Sequence, residues 1–99
     1  MEKEKIKRLI ADYIIRSPFR DTVSKIALFG SYASGTNRYE SDVDLLVEFA
    51  EPIGFFEVVR MEEALSDAIG KKVDLVTSRA LSPYFREAVI REAETVYEK

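Results

Sequence analysis

The sequence predicts a small α/β fold, a mixed β-sheet packed with helices, from two patterns that alternate along one chain. Apolar residues recur at helical spacing in three stretches, and short apolar or period-two runs lie between them. The resulting order, helix–strand–strand–helix–strand–helix–strand, implies layered helices and strands.

Taken in order, Ile6, Leu9, Ile10, Tyr13 and Ile14 make residues 2–16 an amphipathic helix, which Ser17-Pro18 stops. Ile26 to Phe29 is a buried strand ending at Gly30. Residues 31–34 form one helical turn closed by Gly35, and the polar residues 36–40 form a loop. From Asp42 to Phe49 the alternation is clean. Val43, Leu45 and Val47 face one way; Asp42, Asp44, Leu46 and Glu48 face the other. Pro52 and Gly54 end that strand. A long helix follows over 55–69, with Val58, Met61, Leu65, Ala68 and Ile69 inward and Gly70 as its cap. Val73 to Val76 is a third strand. Ser82-Pro83 starts a helix marked by Phe85, Val89, Ile90 and Ala93, and Thr95 to Tyr97 is a final edge strand.

The chain has 99 residues, enough for one domain over 1–99. Its 15 Lys and Arg against 18 Asp and Glu give a net charge of -3, a poor match to the dense basic surface of a direct nucleic-acid binder. Cysteine and histidine are both absent. Disulfides, thiolate catalysis, Cys or His metal sites and Ser-His-Asp triads are therefore excluded. Any chemistry runs on carboxylates, hydroxyls, Lys, Arg, Tyr and backbone groups, and carboxylates favour hard cations such as Mg²⁺. The charged N-terminus lacks a signal peptide's apolar stretch, and no run reaches the roughly 20 apolar residues of a membrane helix. The expected location is the cytoplasm.

The chemistry concentrates in two places. Period two puts Asp42 and Asp44 on one face of a strand, where each carboxylate raises the other's pKa unless a cation lies between them. Asp74, inside Val73-Asp74-Leu75-Val76, is unfavourable by strand propensity. If its strand lies beside the first, three carboxylates cluster, a set able to hold two metal ions around an in-line phosphoryl transfer. Upstream, Phe29-Gly30-Ser31 ends a strand in a tight turn. A glycine there lets phosphate approach the backbone, and Ser31 adds a hydroxyl donor.

Leu28-Phe29-Gly30-Ser31-Tyr32-Ala33-Ser34-Gly35, followed by Ser41-Asp42-Val43-Asp44-Leu45-Leu46-Val47, resembles the signature of the polymerase-β-type nucleotidyltransferase superfamily: Gly-Ser, ten residues, then Asp-x-Asp. Asp74 stands where that superfamily places its third carboxylate. The short length resembles the minimal nucleotidyltransferases (MNT), commonly paired with HEPN-domain toxins as antitoxins. The resemblance implies the nucleotidyltransferase fold, ATP as substrate, and Gly30 and Ser31 on the nucleotide phosphates. It implies Asp42 and Asp44 as Mg²⁺ ligands, with Asp74 holding the second metal or acting as base on the acceptor. It further implies transfer of AMP to a hydroxyl, in some members a tyrosine of the partner toxin, within a hetero-oligomer. The departure is Ser34, where many relatives have Arg; Arg38 is the nearest substitute as a nucleotide-binding cation.

Plainer readings stand beside these. Asp74 can instead pair with Lys71 or Lys72, and Arg38 can be a solvated loop residue. Lys3, Lys5, Lys7 and Arg8, interleaved with Glu2 and Glu4, read as a solvated helix face. Tyr32, Tyr39 and Tyr84 suit packing better than stacking or acceptor roles. Phe55, Phe56, Tyr84 and Phe85 are candidates for partner contact. The competing function is a non-catalytic antitoxin that neutralises its partner by contact. An antibiotic- or RNA-modifying domain is a third reading, disfavoured by the acidic balance and the lack of an acceptor domain.

Overall fold

Helical periodicity, glycine stops and apolar runs become elements almost where the sequence places them. The computed structural model describes residues 2–99. Its elements are α1 (Lys3–Arg16), β1 (Val23–Phe29), α2 (Ser31–Ser34), β2 (Val43–Phe49), α3 (Phe55–Ile69), β3 (Val73–Thr77), a 3-10 turn (Ser78–Ala80), α4 (Pro83–Glu92) and β4 (Glu94–Glu98). The strands form one mixed sheet in the order β3-β2-β1-β4. β1 is antiparallel to both β2 and β4, and β2 is parallel to β3. The parallel pair needs a crossover, which α3 supplies.

One face of the sheet is the core. Ile26 and Leu28 of β1, Val43, Leu45 and Val47 of β2 and Val73 of β3 pack with Ile6, Ile10 and Ile14 of α1 and Met61, Leu65 and Ile69 of α3. Tyr32 of α2 joins them, 1% exposed. Each such side chain removed from water contributes roughly 1.5–3 kcal/mol before entropy is counted. The spacing of the three isoleucines along α1 explains why this helix lies flat on the sheet.

Three details differ from the sequence reading. β1 starts at Val23 rather than Ile26, because Ser24 and Lys25 point away from the core across an irregularity between Val23 and Lys25. Ala68 is exposed, one position off the Met61–Leu65–Ile69 stripe of α3. Lys3 and Lys7 are not a solvated face: both are half-buried and hold Glu94 of β4, at 2.8 and 3.3 Å.

β3 is an edge strand, and α3 closes its outer side. Ser66 Oγ accepts a hydrogen bond from the Val73 amide (3.0 Å), and Glu62 Oε2 accepts one from the Leu75 amide (2.8 Å). These bonds satisfy donors that the sheet leaves unpaired and fix β3 beside β2.

The opposite face is thinly covered. Ser82 caps α4, and Arg86 anchors it by donating to the carbonyls of Ser78 (2.8 Å) and Leu81 (3.1 Å). No residue of α4 is buried; Tyr84, Phe85 and Ile90 are 92, 64 and 52% exposed. Between α4 and the sheet lies a cavity of about 170 Å³ lined by Lys25, Ala27, Leu46, Glu48, Ser78 and Ile90.

Candidate active site

The alternation that buries Val43 and Leu45 places Asp42 and Asp44 on the thinly covered face. In the parallel ladder Asp44 is the register partner of Asp74, so the two side chains stand side by side on that face. Asp42 immediately precedes β2. The Val43 amide donates to the Lys72 carbonyl at 2.8 Å, clasping the starts of β2 and β3 and setting Asp42 beside Lys72, whose Nζ is 3.7 Å from Asp42 Oδ2.

The three carboxyls feel one another. Burial, then the charges of Asp74 and Asp42, holds the Asp44 carboxyl above its ordinary value of 3.8. Asp74 is raised as well, first by burial, then by the charges of Asp42 and Glu62 and by a hydrogen bond with the Asp42 carboxyl; Lys72 pulls the other way. Asp74 therefore belongs to the carboxylate group rather than to a simple lysine pair. Lys72 makes its ion pair with Asp42.

The glycine turn lies against this group. Gly30 ends β1, where Phe29 is the register partner of Asp44. Its φ of +76° is a left-handed value that side chains disfavour, and a Cβ there would strike the Asp44 carboxylate. Glycine is required on both counts. Within α2 the Ser34 amide donates to the Gly30 carbonyl (3.1 Å) and the Thr36 amide to the Ser31 carbonyl (2.9 Å). No hydrogen bond among the described residues engages the Ser31 hydroxyl, which is free for a ligand. Beside the turn is a groove of about 300 Å³ lined by Gly30, Ala33, Ser34 and Glu92. On the other flank, Tyr39, Glu40, Ser41, Asp42, Lys71 and Lys72 line one of about 240 Å³.

Arg38 is not brought to the carboxylates. Its amide donates to Ser41 Oγ (2.7 Å) and its carbonyl accepts from the Ser41 amide (3.0 Å), while the side chain is exposed. Ser34 spends its hydroxyl on Thr36 (2.8 Å) and the Ser31 carbonyl (3.3 Å). Of the tyrosines, Tyr32 is core, while Tyr39 and Tyr84 are each 92% exposed.

Sequence reasoning missed the contribution of Glu62 and took Lys71 and Lys72 only as partners for Asp74. Lys71 Nζ donates to the Tyr39 carbonyl (3.1 Å) and lies 5.2 Å from the Tyr39 ring centroid. The signal for the lysines was present: a Lys-Lys pair directly precedes Val73-Asp74. Glu62 carried no local signal, because its role depends on β3 being the edge strand.

The donors here are all oxygens, crowded and partly accessible, a set that fits a hard divalent cation. As placed, the described residues contain no group of three acidic side chains closed around one point. The two raised carboxyls mark where added positive charge would be most stabilising.

A carboxylate row on two strand ends, faced by a glycine–serine turn, is an arrangement suited to handling phosphoryl groups. Residues 4–99 match the family described as polymerase beta, nucleotidyltransferase, and the chain belongs to that family. It is 39% identical over 70 residues to protein adenylyltransferase MntA of Thermococcus cleftensis, covering 71% of each chain. It superposes on the solved structure of a candidate minimal nucleotidyltransferase with a TM-score of 0.76 at 34% identity, covering 94% of both chains. It also superposes on a crystal structure of a toxin–antitoxin with AMP-PNP, with a TM-score of 0.72 at 27% identity, covering 100% of this chain and 75% of that one. No helix among the described residues is long and apolar enough to cross a membrane.

Proposed function

We propose that residues 1–99 form one minimal nucleotidyltransferase domain that works as a protein adenylyltransferase antitoxin. It transfers AMP from ATP to a hydroxyl, a tyrosine, of a HEPN-domain toxin in a hetero-oligomer in the cytoplasm. The observation that carries this is the in-register pairing of Asp44 with Asp74 directly against Gly30. Relatives named for protein adenylylation and a toxin–antitoxin neighbour bound to AMP-PNP support the choice of acceptor class and nucleotide.

In this reading the Gly30 backbone and the Ser31 hydroxyl hold the phosphates, and Arg38, on its exposed loop outside the carboxylate group, meets the part of the nucleotide that extends beyond it. Asp42, Asp44 and Asp74 would hold Mg²⁺, which supplies charge neutralisation and in-line alignment of the triphosphate. The acceptor oxygen attacks the α-phosphorus, the bond from that phosphorus to the bridging oxygen of the β-phosphate breaks, and pyrophosphate leaves. The acceptor proton goes to Asp74, the carboxylate placed beside Asp44 by the strand register.

The test is incubation with ATP labelled at the α-phosphate, Mg²⁺ and a HEPN-domain toxin. Label should appear on toxin tyrosine and vanish with Asp42→Asn/Asp44→Asn. An unlabelled toxin under conditions where it is neutralised would reject the catalytic reading.

A contact-only antitoxin is the second reading, favoured by the exposed Phe55 and Phe56 (74 and 75%) and the unburied α4. It predicts that the doubly substituted chain still protects cells.

A further inference from the structure

We propose that Lys3 is a positioning residue for the Gly30–Ser31 turn. The inference rests on the reading that this turn holds the nucleotide phosphates, and it identifies what holds the turn. α2 is a single turn long, so its carbonyls have few partners within the helix. The Ser31 carbonyl takes the Gly35 and Thr36 amides, and the Gly30 carbonyl takes the Ser34 amide. The Ala33 carbonyl is taken by Lys3 Nζ, at 3.3 Å, from the first turn of α1. The same ammonium donates to Glu94 Oε2 at 2.8 Å. Glu94 opens β4 and is the register partner of Leu28, two residues before Gly30 on β1.

The turn is thus held from three directions. β1 runs into it, the Asp44 carboxylate fills the space beside Gly30, and Lys3 ties its far end to α1 and β4. An ion pair as accessible as Lys3–Glu94, with side chains 35 and 33% exposed, adds little to global stability. Its geometric consequence is local: it sets the tilt of the segment that carries Ser31. Charge-assisted bonds of this kind fix orientation as well as adding energy.

The protein contains its own control. Lys7 holds the other oxygen of Glu94 at 3.3 Å and does not bond to α2. Lys7→Met therefore loses a comparable ion pair while leaving the Ala33 tether in place.

The experiment compares Lys3→Met, Lys3→Arg and Lys7→Met in the full chain. It measures KM for ATP and kcat in toxin adenylylation, the dissociation constant of AMP-PNP with Mg²⁺ by calorimetry, and hydrogen exchange at the Ser34, Gly35 and Thr36 amides. Lys3→Met should raise KM and the dissociation constant about three- to tenfold, the scale of one lost charge-assisted bond, with kcat changed by less than about twofold. Exchange at the three amides should quicken. Lys3→Arg should restore both, and Lys7→Met should alter neither. Equal changes in Lys3→Met and Lys7→Met, or unchanged exchange in Lys3→Met, would overturn the proposal. Exchange and calorimetry need no turnover. A wild-type chain that binds AMP-PNP but labels no toxin, with weakened binding only in Lys3→Met, would remove the adenylyltransferase reading and retain the tether.

Discussion

On one face of the sheet Val43, Leu45 and Val47 lie under α1 and α3, none more than 1% exposed. On the other, one step out of phase along the same strand, Asp42 and Asp44 stay partly accessible, and α4 buries none of its own residues. A single strand thus serves stability and chemistry on alternate residues. The apolar face anchors β2 firmly enough for the other face to crowd like charges that would destabilise a free peptide's fold. Where the two faces meet the glycine turn, Asp44 and Gly30 are in contact, so the site inherits its precision from the core beneath it.

The largest effect expected is on the acidic face. Asp44→Asn should lower adenylyl transfer about a thousandfold, as loss of a group stabilising transition-state charge does, while the fold remains intact. Transfer assays alongside circular dichroism check this, and an active variant would detach the chemistry from this face. Next comes the apolar face. Leu45→Ala, adjacent in sequence, should destabilise by about 3 kcal/mol in denaturant unfolding, because the site is fully buried. Under conditions where this variant is folded, its KM for ATP should be near wild type; a selective loss of ATP binding would blur the division between faces.

Gly30→Ala tests the junction. The φ of +76° and the approach of Asp44 should together cost about 1–2 kcal/mol, and ATP affinity should fall. A variant as stable as wild type would mean that the turn is not pressed on the carboxylate.

A smaller effect concerns pH. Asp44 and Asp74 have folded pKa values above the ordinary 3.8, so the folded state binds protons more readily than the unfolded one. Their contribution is stabilising only below that ordinary value and is lost as pH rises through the folded values. In the presence of a chelator, Asp44→Asn should therefore melt higher than wild type at pH 8. The gap should close as pH falls to about 4. Mg²⁺ should narrow it at pH 8 by raising the wild-type melting temperature. A gap that widens on acidification would contradict the sign of the shifts. Smallest of all, Phe85→Ser on α4 should change stability by less than about 0.5 kcal/mol, since the ring is 64% exposed. A weaker complex with the toxin from the same variant would assign the thin face to partner contact.

Much of this was determined by the sequence alone. Period two along Val43–Val47 assigned both faces of β2, and isoleucines at helical spacing gave α1. Gly35, Gly70 and Ser82-Pro83 set helix limits close to those observed. The resemblance of Gly30-Ser31, ten residues on to Asp42 and Asp44, to the nucleotidyltransferase signature implied the chemical class. Such features are legible because backbone geometry repeats locally, so nearby residues report on it. Tertiary structure decided the rest. It placed Asp74 beside Asp44, left Arg38 outside the carboxylate group, turned Lys3 and Lys7 from solvent toward Glu94, exposed Tyr84, Phe85 and Ile90 of α4, and gave Glu62 the edge of β3. Each of these depends on which strands become neighbours and which lie at an edge. That is fixed by contacts between distant segments, and no single stretch of sequence carries it.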